Sequence, residues 1–305
     1  MNDLLNNTTK PKNIEELYIE ELYYQILEIV KNLYNDSIFD NVKKRRNKNK
    51  AKMSDAEIIS IQLLIECIGM SQNSGYKFLS KNYPNLVNYV ERSRFNRLIN
   101  SLFTVIKAIR KAMPRNELCQ YKIVDSFPIV VNKFERAYFG RRLREYSSYG
   151  YCASKKEKYY GMKVHTITDL NGNPIDFLLT KANVDDREVL HELCDMLHVD
   201  ILFGDKGYVG EINDELKNEK GIKLYALKRS NSKNPLPKPF RNLISKLRRR
   251  IESTFNQLIE HFDIERVRAN SILGLSTMLE IKFLCFNILA FIGGSTAISN
   301  VLNFN

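Results

Sequence analysis

YKIVDSFPIVVN, residues 121–132, is the stretch of sequence that decides the fold. Its apolar and β-branched residues predict a buried strand, yet Asp125 lies in the middle of it. A second apolar run, ILFGDKGY at residues 201–208, predicts another buried strand that ends at Asp205. One acid in such a place is usually a hydrogen-bonded core residue or a helix cap. Two buried carboxylates are costly unless they are protonated or paired with cations, so the two strands together predict a shared site.

The segments around these two strands alternate between strand and helix patterns. Short apolar runs predict strands, the turn DLNGNP predicts a hairpin between two of them, and the 3.6-residue period predicts helices. The predicted strands are 121–132, 161–169, 174–182, 201–205 and 223–228, and the predicted helices are 185–197, 213–220 and 241–262. This order predicts an α/β domain built on one mixed sheet.

The sequence before residue 119 predicts helices. A helical period runs over residues 14–40, and Ser54 with Glu57 forms a capping box that begins the next helix. Between them lies KKRRNKNKAK, residues 43–52, with seven basic residues in ten. This basic run is either a solvated linker or a contact with phosphates.

A later helix in this region has a basic start. SRFNRLINSL begins with Ser93 as its expected N-cap, and Arg94 and Arg97 lie near its first turn. Short stacked helices with a basic helix N-terminus resemble a helix-turn-helix, which reads DNA. The alternative is an ordinary group of short helices.

The composition favours a soluble protein with a polyanionic partner. Lys and Arg total 47 against 35 Asp and Glu, which gives a net charge of +12 and favours nucleic acid. Five scattered cysteines form no zinc or disulfide pattern and suit a reducing cytoplasm. The apolar segment 278–294 contains Glu280 and Lys282, so it predicts a buried helix rather than a membrane span.

A third acid, Glu252, lies in the predicted helix 241–262. It is one position off the apolar stripe, which comprises Leu243, Leu247, Ile251, Phe255, Leu258 and Phe262. The alternative is an ordinary surface pair with Arg248 at i, i+4 spacing. Three acids brought together are the kind of cluster that holds two divalent metals for phosphodiester chemistry. Carboxylate oxygens suit Mg²⁺.

Two basic segments flank these acids. Residues 133–163 hold nine Lys or Arg and three Glu, interleaved with six tyrosines and two phenylalanines. This mixture is typical of a surface for a DNA strand end, although a plain charged insertion is the alternative. Residues 228–250 hold nine basic residues and no acid. The expected DNA contacts in these segments are Arg141, Arg142, Arg144, Lys155, Lys156, Arg248, Arg249 and Arg250.

Four motifs carry a resemblance to a known family. They are IVDSFP around Asp125, KVHTITDLNGNPIDFLLTKANVDDRE at 163–188, LFGDKGY around Asp205 and RRRIESTFNQL around Glu252. The chain resembles the DDE transposases of bacterial insertion sequences, most closely the insertion-sequence 982 group. The resemblance implies an RNase H-like catalytic domain in which the three acids bind two Mg²⁺ ions, with Mn²⁺ as a substitute. It also implies cleavage at the element ends and transfer of the freed 3′-hydroxyl into target DNA.

The match to the family pattern around the last acid is incomplete. Many relatives have Tyr, Arg, Glu and Lys there, and Arg248 fits the Arg. Ser245 stands at the Tyr position and Ile259 at the Lys position, which puts the DNA contact of that Lys in doubt. Asp186 also matches the family, as an N-terminal helix acid and a weak candidate ligand.

His165 is the other candidate neighbour of the active site, and the alternative for it is a packed core histidine.

The expected boundaries are 1–52 for a helix and basic linker, 53–118 for the helical DNA-binding region, 119–296 for the catalytic domain and 297–305 for a tail. The expected partners are double-stranded DNA (terminal repeats and target) and further copies of the chain, at least a dimer, with no membrane. Two alternatives are a metal-dependent nuclease of the same fold and a protein that binds element ends without cutting.

Overall fold

The structure of the protein is a computed structural model. It describes residues 14–36, 42, 50–87, 90–114, 120–195, 197, 199–227 and 236–302, with the backbone alone at 14–17 and 294–302. Most of the basic run 43–52 and the loop 228–235 lie outside the described residues. The chain divides into two compact units, Met1–Ile109 with Val301–Asn305, and Arg110–Asn300.

The described secondary structure before residue 113 is helical. The helices are α1 Ile14–Asp36, α2 Asp55–Cys67, α3 Gln72–Asn82, α4 Pro84–Val87, α5 Arg92–Ser101 and α6 Phe103–Ala112, in which the unit boundary lies. The capping box predicted for α2 is confirmed, because the Glu57 amide donates to Ser54 Oγ (3.2 Å) and the Ser54 amide donates to Glu57 Oε2 (2.7 Å).

The predicted cap of α5 is wrong. Glu91 caps this helix instead of Ser93, and its carboxylate accepts the Ser93 amide (2.8 Å) and the Arg94 amide (3.1 Å). A charged carboxylate at a helix N-terminus satisfies the free amides and complements the helix dipole. The Ser93 hydroxyl, which also donates to this carboxylate, and the two amide bonds lower the pKa of Glu91 to about 2. The helix-turn-helix stays a prediction.

The second unit is a mixed α/β domain, as predicted from the sequence. Its strands are β1 Tyr121–Asn132, β2 Ser148–Cys152, β3 Glu157–Thr168, β4 Pro174–Lys181, β5 Ile201–Gly204 and β6 Lys223–Ala226. They form one sheet in the order β2-β3-β1-β5-β6, and β4 pairs with the part of β3 that β2 leaves free. Strand β3 runs antiparallel to its neighbours β1, β2 and β4, whereas β5 runs parallel to its neighbours β1 and β6.

Helices cover both faces of this sheet. They are α7 Leu190–Cys194, α8 Ile212–Lys220, α9 Lys238–Glu260 and α10 Ile272–Leu302. On one face, Val124 of β1 packs in a core cluster that includes Leu190 of α7 and Leu216 of α8. On the other face, the Phe127 ring of β1 packs 4.8 Å from Phe255 of α9 and 6.5 Å from Phe283 of α10. Side chains alternate along a strand, so β1 contributes to both layers.

Several predicted elements differ from the structure. The helix predicted over 185–197 is only Leu190–Cys194, because Asp185 binds the Arg187 amide and side chain and residues 186–189 form turns. Strand β2 was not predicted, since its exposed aromatic residues lack the apolar alternation of a half-buried strand. Leu243 is exposed rather than part of the buried stripe of α9, and Ile244 is buried in its place.

The predicted buried helix 278–294 is part of the longer α10, which reaches into the predicted tail. Glu280 on this helix is buried because it pairs with Arg110, whose Nη2 also donates to Asp176 Oδ1 at 2.7 Å. Within the described residues, Ile272–Gly293 is long and apolar enough to span a membrane, and 72% of its apolar window is buried. Core helices of soluble proteins have the same length and composition.

Candidate active site

The sheet register brings Asp125 and Asp205 to neighbouring positions. Ile123 of β1 pairs with Phe203 of the parallel strand β5. Asp125 and Asp205 each follow two residues later, so both side chains lie on the same face of the sheet as Ile123 and Phe203. Adjacent strands are about 4.8 Å apart, which makes the two carboxylates immediate neighbours.

Helix α9 crosses this same face and carries the third acid. Its Phe240 ring lies 4.8 Å from Tyr225 of β6, and its Phe255 packs on Phe127 of β1. These two aromatic contacts hold the middle of the helix over β1 and β5. Arg248 and Glu252 precede Phe255 on the helix, on the side that faces the strand ends.

One guanidinium joins all three acids. Arg248 Nη2 lies 3.7 Å from Asp125 Oδ2 and 3.1 Å from Glu252 Oε1, and Arg248 Nη1 lies 3.3 Å from Asp205 Oδ1. The i, i+4 pair with Glu252 is therefore present, but the same cation also reaches both strand acids. Three carboxylates that are remote in sequence thus surround a single positive charge, and Arg248 Nε has no hydrogen-bond partner among the described residues.

The three acids differ in their exposure. The side chain of Asp125 is 18% exposed, that of Asp205 39% and that of Glu252 50%. Burial raises the pKa of Asp125 to about 7, although the Ser126 amide (2.8 Å) and the Arg248 guanidinium favour its ionised form. Asp205 caps a short 3₁₀ turn, where its carboxylate accepts the Lys206 amide.

This cluster has the donor atoms for a hard cation. All three side chains offer carboxylate oxygens, the ligands that Mg²⁺ prefers. Within the described residues, no group of three or more His, Cys, Asp or Glu side chains is arranged to hold a metal ion. Arg248 lies among the three carboxylates instead, and its guanidinium is their shared counter-ion.

The opposite face of β1 carries a second polar group. Asp186 Oδ1 accepts Lys163 Nζ at 2.8 Å and lies 3.5 Å from His165 Nδ1. Asp186 Oδ2 accepts the Ser126 hydroxyl at 3.2 Å, and the Ser126 amide binds Asp125. Asp186 is therefore linked to the acid cluster through one residue of β1. The sequence did not single out Ser126 as a link between the two groups. Its place next to Asp125 in a strand puts its side chain on the opposite face of the sheet.

His165 is buried within this second group. It lies opposite Ser126 on β3, and its Nε2 is 2.9 Å from Thr180 Oγ1. Burial lowers the pKa of His165 to about 4, so the imidazole is neutral at pH 7. Its pairing with Ser126 places it on the face of the sheet opposite to Asp125. The alternative of a packed core histidine agrees with this burial.

Tyr208 explains the glycine in the motif LFGDKGY. The Tyr208 side chain is buried under Gly204, where an added Cβ would lie 2.9 Å from the tyrosine ring. Burial, with Asp186, Asp125 and Asp205 nearby, raises the pKa of Tyr208 above its usual value. The ring anchors the turn that follows Asp205, a role that the motif alone did not reveal.

The predicted DNA contacts fall into two groups. The exposed members for which no ion pair or side-chain hydrogen bond is described are Arg94 and Arg97 on α5 of the first unit, and Arg141, Arg144, Lys156 and Arg249 in the second. Others already have protein partners. Arg142 donates to the Val131 carbonyl, Lys155 pairs with Glu265, and Arg250 donates to the Leu170 carbonyl. The exposed group is thus free to reach a partner, whereas the second group also fixes local structure.

Comparison with known families gives one match. A family model for the transposase DDE domain matches residues 121–288, which is more than half of the 305-residue chain. The matched range contains all six strands, the three acids and Arg248. No curated protein and no solved structure matches the chain.

Proposed function

The chain belongs to the transposase DDE domain family, and on this premise we propose that it cuts DNA at insertion-sequence ends and joins the freed 3′-hydroxyl to target DNA. Transposases of this family act on DNA and generally use divalent metal ions. The observation that carries the finer proposal is the meeting of Asp125, Asp205 and Glu252 around Arg248. A protein that only bound DNA would have no use for three acids crowded at one point.

The three carboxylates would hold the metal ions, with Mg²⁺ as the natural choice and Mn²⁺ as a substitute. Divalent ions bound there would activate the attacking oxygen and stabilise the leaving oxygen of a phosphodiester. The buried Asp125 must lose its proton to become a ligand, and Ser126 favours the ionised form through its amide. Asp205 is held in place by the turn that it caps.

Arg248 has a second role in this proposal. When it leaves the carboxylates, its planar guanidinium can donate paired hydrogen bonds to a DNA phosphate. Its Nε supports this role, because that buried donor has no hydrogen-bond partner among the described residues. The exposed Arg249 next to it extends the basic surface. Water attacks the phosphodiester first, and the freed 3′-hydroxyl then attacks target DNA in line, without a covalent link to the protein.

The remaining features of the proposal are the fold, the family group and the partners. An RNase H-like fold is supported by the sheet of three antiparallel strands, β1, β3 and β4, continued by the parallel strands β5 and β6. Membership of the insertion-sequence 982 group is supported by the four quoted motifs. The helical region 53–118 is the proposed binder of terminal repeats, and holding two element ends requires at least a dimer.

The direct test is a cleavage assay with the full-length protein. Incubation with Mg²⁺ and the DNA that flanks its own gene should give cuts at defined ends, together with joined strand-transfer products. Asp205→Ala should abolish cutting and leave DNA binding intact, and the exposed Asp214→Ala serves as the matched control. Cutting by Asp205→Ala at the normal rate would overturn the proposal. Cutting without joined products would favour the nuclease alternative.

A further inference from the structure

The segment between β1 and β3 exposes an unusual number of aromatic rings. Of the twelve large hydrophobic side chains that are exposed in the described residues, six lie within residues 134–151. We call them the aromatic surface: Phe134 (38% exposed), Tyr138 (74%), Phe139 (80%), Tyr146 (42%), Tyr149 (51%) and Tyr151 (61%). A concentration of exposed apolar side chains marks a binding surface, because water disfavours it in a free protein.

Strand β2 presents two of these rings in a fixed arrangement. Tyr149 and Tyr151 are two residues apart and share one face of the strand. Gly150 between them faces the other way, where an added Cβ would lie 2.7 Å from Ala182 Cβ. The Tyr149 ring packs edge-on against Phe134 (5.3 Å) and Tyr160 (5.0 Å). These contacts hold the ring in place, so a partner that stacks on it loses little side-chain entropy.

The two tyrosines lie on the same face of the sheet as the acids. Tyr149 pairs with Tyr160 of β3, and Tyr160 shares the β3 face of Thr166, which pairs with Asp125. Tyr160 also pairs with Asn132, at the far end of β1 from the acids. Asp125 and Asn132 are seven residues apart, so this end of the aromatic surface is roughly 23 Å from Asp125.

Positive charge surrounds the rings. Lys158 pairs directly with Tyr151 across the two strands. The exposed cations of the segment are Lys133, Arg136, Arg141, Arg144, Lys155 (which pairs with Glu265), Lys156 and Lys158, against three exposed glutamates, Glu135, Glu145 and Glu157. Cations attract a phosphate backbone, and flat rings stack on the faces of bases. The faces of bases in an intact duplex are already stacked, so duplex DNA would use the cations and leave the rings unused.

We propose that the aromatic surface binds unpaired bases of the DNA that the acids cut, roughly 23 Å from the point of cutting. This inference rests on the proposed function and specifies that part of the DNA substrate is unpaired. A rise of about 3.4 Å per nucleotide places the stacked bases about seven nucleotides from the cut in a strand of duplex-like rise. The surface would hold a locally opened end, with Tyr149 and Tyr151 as its central rings.

The test compares paired and unpaired DNA bound to the full-length protein. Binding is measured without divalent metal, so that no cutting occurs. The probes are duplexes that contain the mapped cut site, either fully paired or with four mismatched bases centred seven nucleotides from it. A 2-aminopurine among those bases reports stacking by loss of its fluorescence. The wild-type chain should bind the mismatched probe more tightly and quench it.

Tyr149→Ala with Tyr151→Ala should remove this preference. Stacking on one aromatic side chain is worth about tenfold in affinity per base, so the double variant should lose on the order of tenfold to a hundredfold on the mismatched probe. Its affinity for the paired probe should stay near that of the wild type, because the cations remain. Tyr149→Phe with Tyr151→Phe keeps the rings and should keep the preference. The matched control is Tyr24→Ala on α1, a tyrosine that is 59% exposed.

The outcomes separate this inference from the proposed function. An alanine double variant that quenches 2-aminopurine and prefers the mismatched probe like the wild type would overturn the inference, even if Asp205→Ala has lost all cutting. Sedimentation supplies the other contrary outcome. If the alanine variant is a monomer where the wild type is a dimer, with unchanged DNA preference, the rings contact a second copy of the chain. A double variant that fails to fold is replaced by each single substitution, which should lose about tenfold.

Discussion

On one face of β1, Asp125 shares a single guanidinium with Asp205 and Glu252, whereas on the other face Asp186 has Lys163, His165 and Ser126 around it. When all its carboxylates are ionised, the first group keeps two negative charges in excess. In the second group the lysine neutralises the one carboxylate, and the imidazole is uncharged at pH 7. An excess of buried or half-buried negative charge is costly in a resting protein.

This difference in net charge separates acids that suit a ligand from an acid that stabilises the fold. Evolution of a stable core removes uncompensated charge, so a cluster that keeps it needs a ligand that offsets the cost. The acid face of β1 thus carries negative charge that the proposed metal ions would offset, whereas the Asp186 face is already neutralised by Lys163. The two faces are joined through Ser126, whose hydroxyl binds Asp186 and whose amide binds Asp125.

The largest effect is expected from Glu252→Gln on the acid face. Glutamine keeps the shape and the hydrogen bond to Arg248 but removes a charged ligand, so we expect cleavage to fall by roughly a thousandfold or more. Mapped cutting of element-end DNA in Mg²⁺ measures it. The control is Glu260→Gln, an exposed glutamate on the same helix. A Glu252→Gln variant that keeps more than about a tenth of the activity would remove Glu252 from the acid cluster.

The second effect is the pH dependence of the metal-free protein. Burial raises the pKa of Asp125 from 3.8 to about 7, so the folded state binds this proton more tightly than the unfolded state. The resulting stability is fully present below about pH 4 and is lost as the pH rises through about 7. Asp125→Asn should therefore be more stable than the wild type at pH 8, by about 2–4 kcal/mol, with little difference at pH 4.

Thermal unfolding in a metal chelator at several pH values measures this difference. The matched control is Asp176→Asn, an acid on β4 whose pKa is lowered by Arg110 in spite of its burial. That substitution should destabilise the protein at pH 8, with the opposite sign from Asp125→Asn. An Asp125→Asn protein that is less stable than the wild type at pH 8 would show that Arg248 already compensates this carboxylate in full.

The third effect concerns Arg248 as the resident counter-ion. Arg248→Gln leaves three carboxylates without their shared cation, so the metal-free protein should be less stable and should bind Mg²⁺ about tenfold more tightly. Calorimetric titration with Mg²⁺ gives the affinity independently of cutting. Arg249→Gln, at the exposed neighbouring position, should change neither quantity. Weaker Mg²⁺ binding by Arg248→Gln would mean that the guanidinium does not compete with the metal.

The acid face could be predicted from the sequence because each of its parts has a local signal. Asp125 and Asp205 interrupt apolar runs that must be strands, and Glu252 borders a stripe of helical period. The contact of Arg248 with all three acids could not be predicted. It depends on how α9 crosses the sheet, which the contacts of Phe240 and Phe255 decide over long separations in sequence.

The Asp186 face of β1 was harder to predict for a similar reason. Asp186 lies 60 residues from Ser126 in sequence, and the two meet only because β4 pairs with β3 and the following turn returns to β1. The apolar period over 185–197 predicts one continuous helix and therefore no turn. The observed helix has only five residues, and the turn precedes it. Strand β2 was missed because its aromatic residues face outward instead of into a core.

The smallest effect is expected from Asp186→Asn, and it decides whether the comparison of the two faces is right. Asparagine still accepts a hydrogen bond from Lys163 or Ser126, and the ion pair is partly exposed, so the free energy of unfolding should fall by only about 1 kcal/mol. Cleavage should fall less than about tenfold, since Asp186 acts on Asp125 only through Ser126. The control is Asp185→Asn, the exposed acid beside it that pairs with Arg187. If Asp186→Asn abolished cleavage without loss of stability, Asp186 would belong with the acids on the other face, because a supporting residue cannot stop the chemistry while the fold that it supports stays intact.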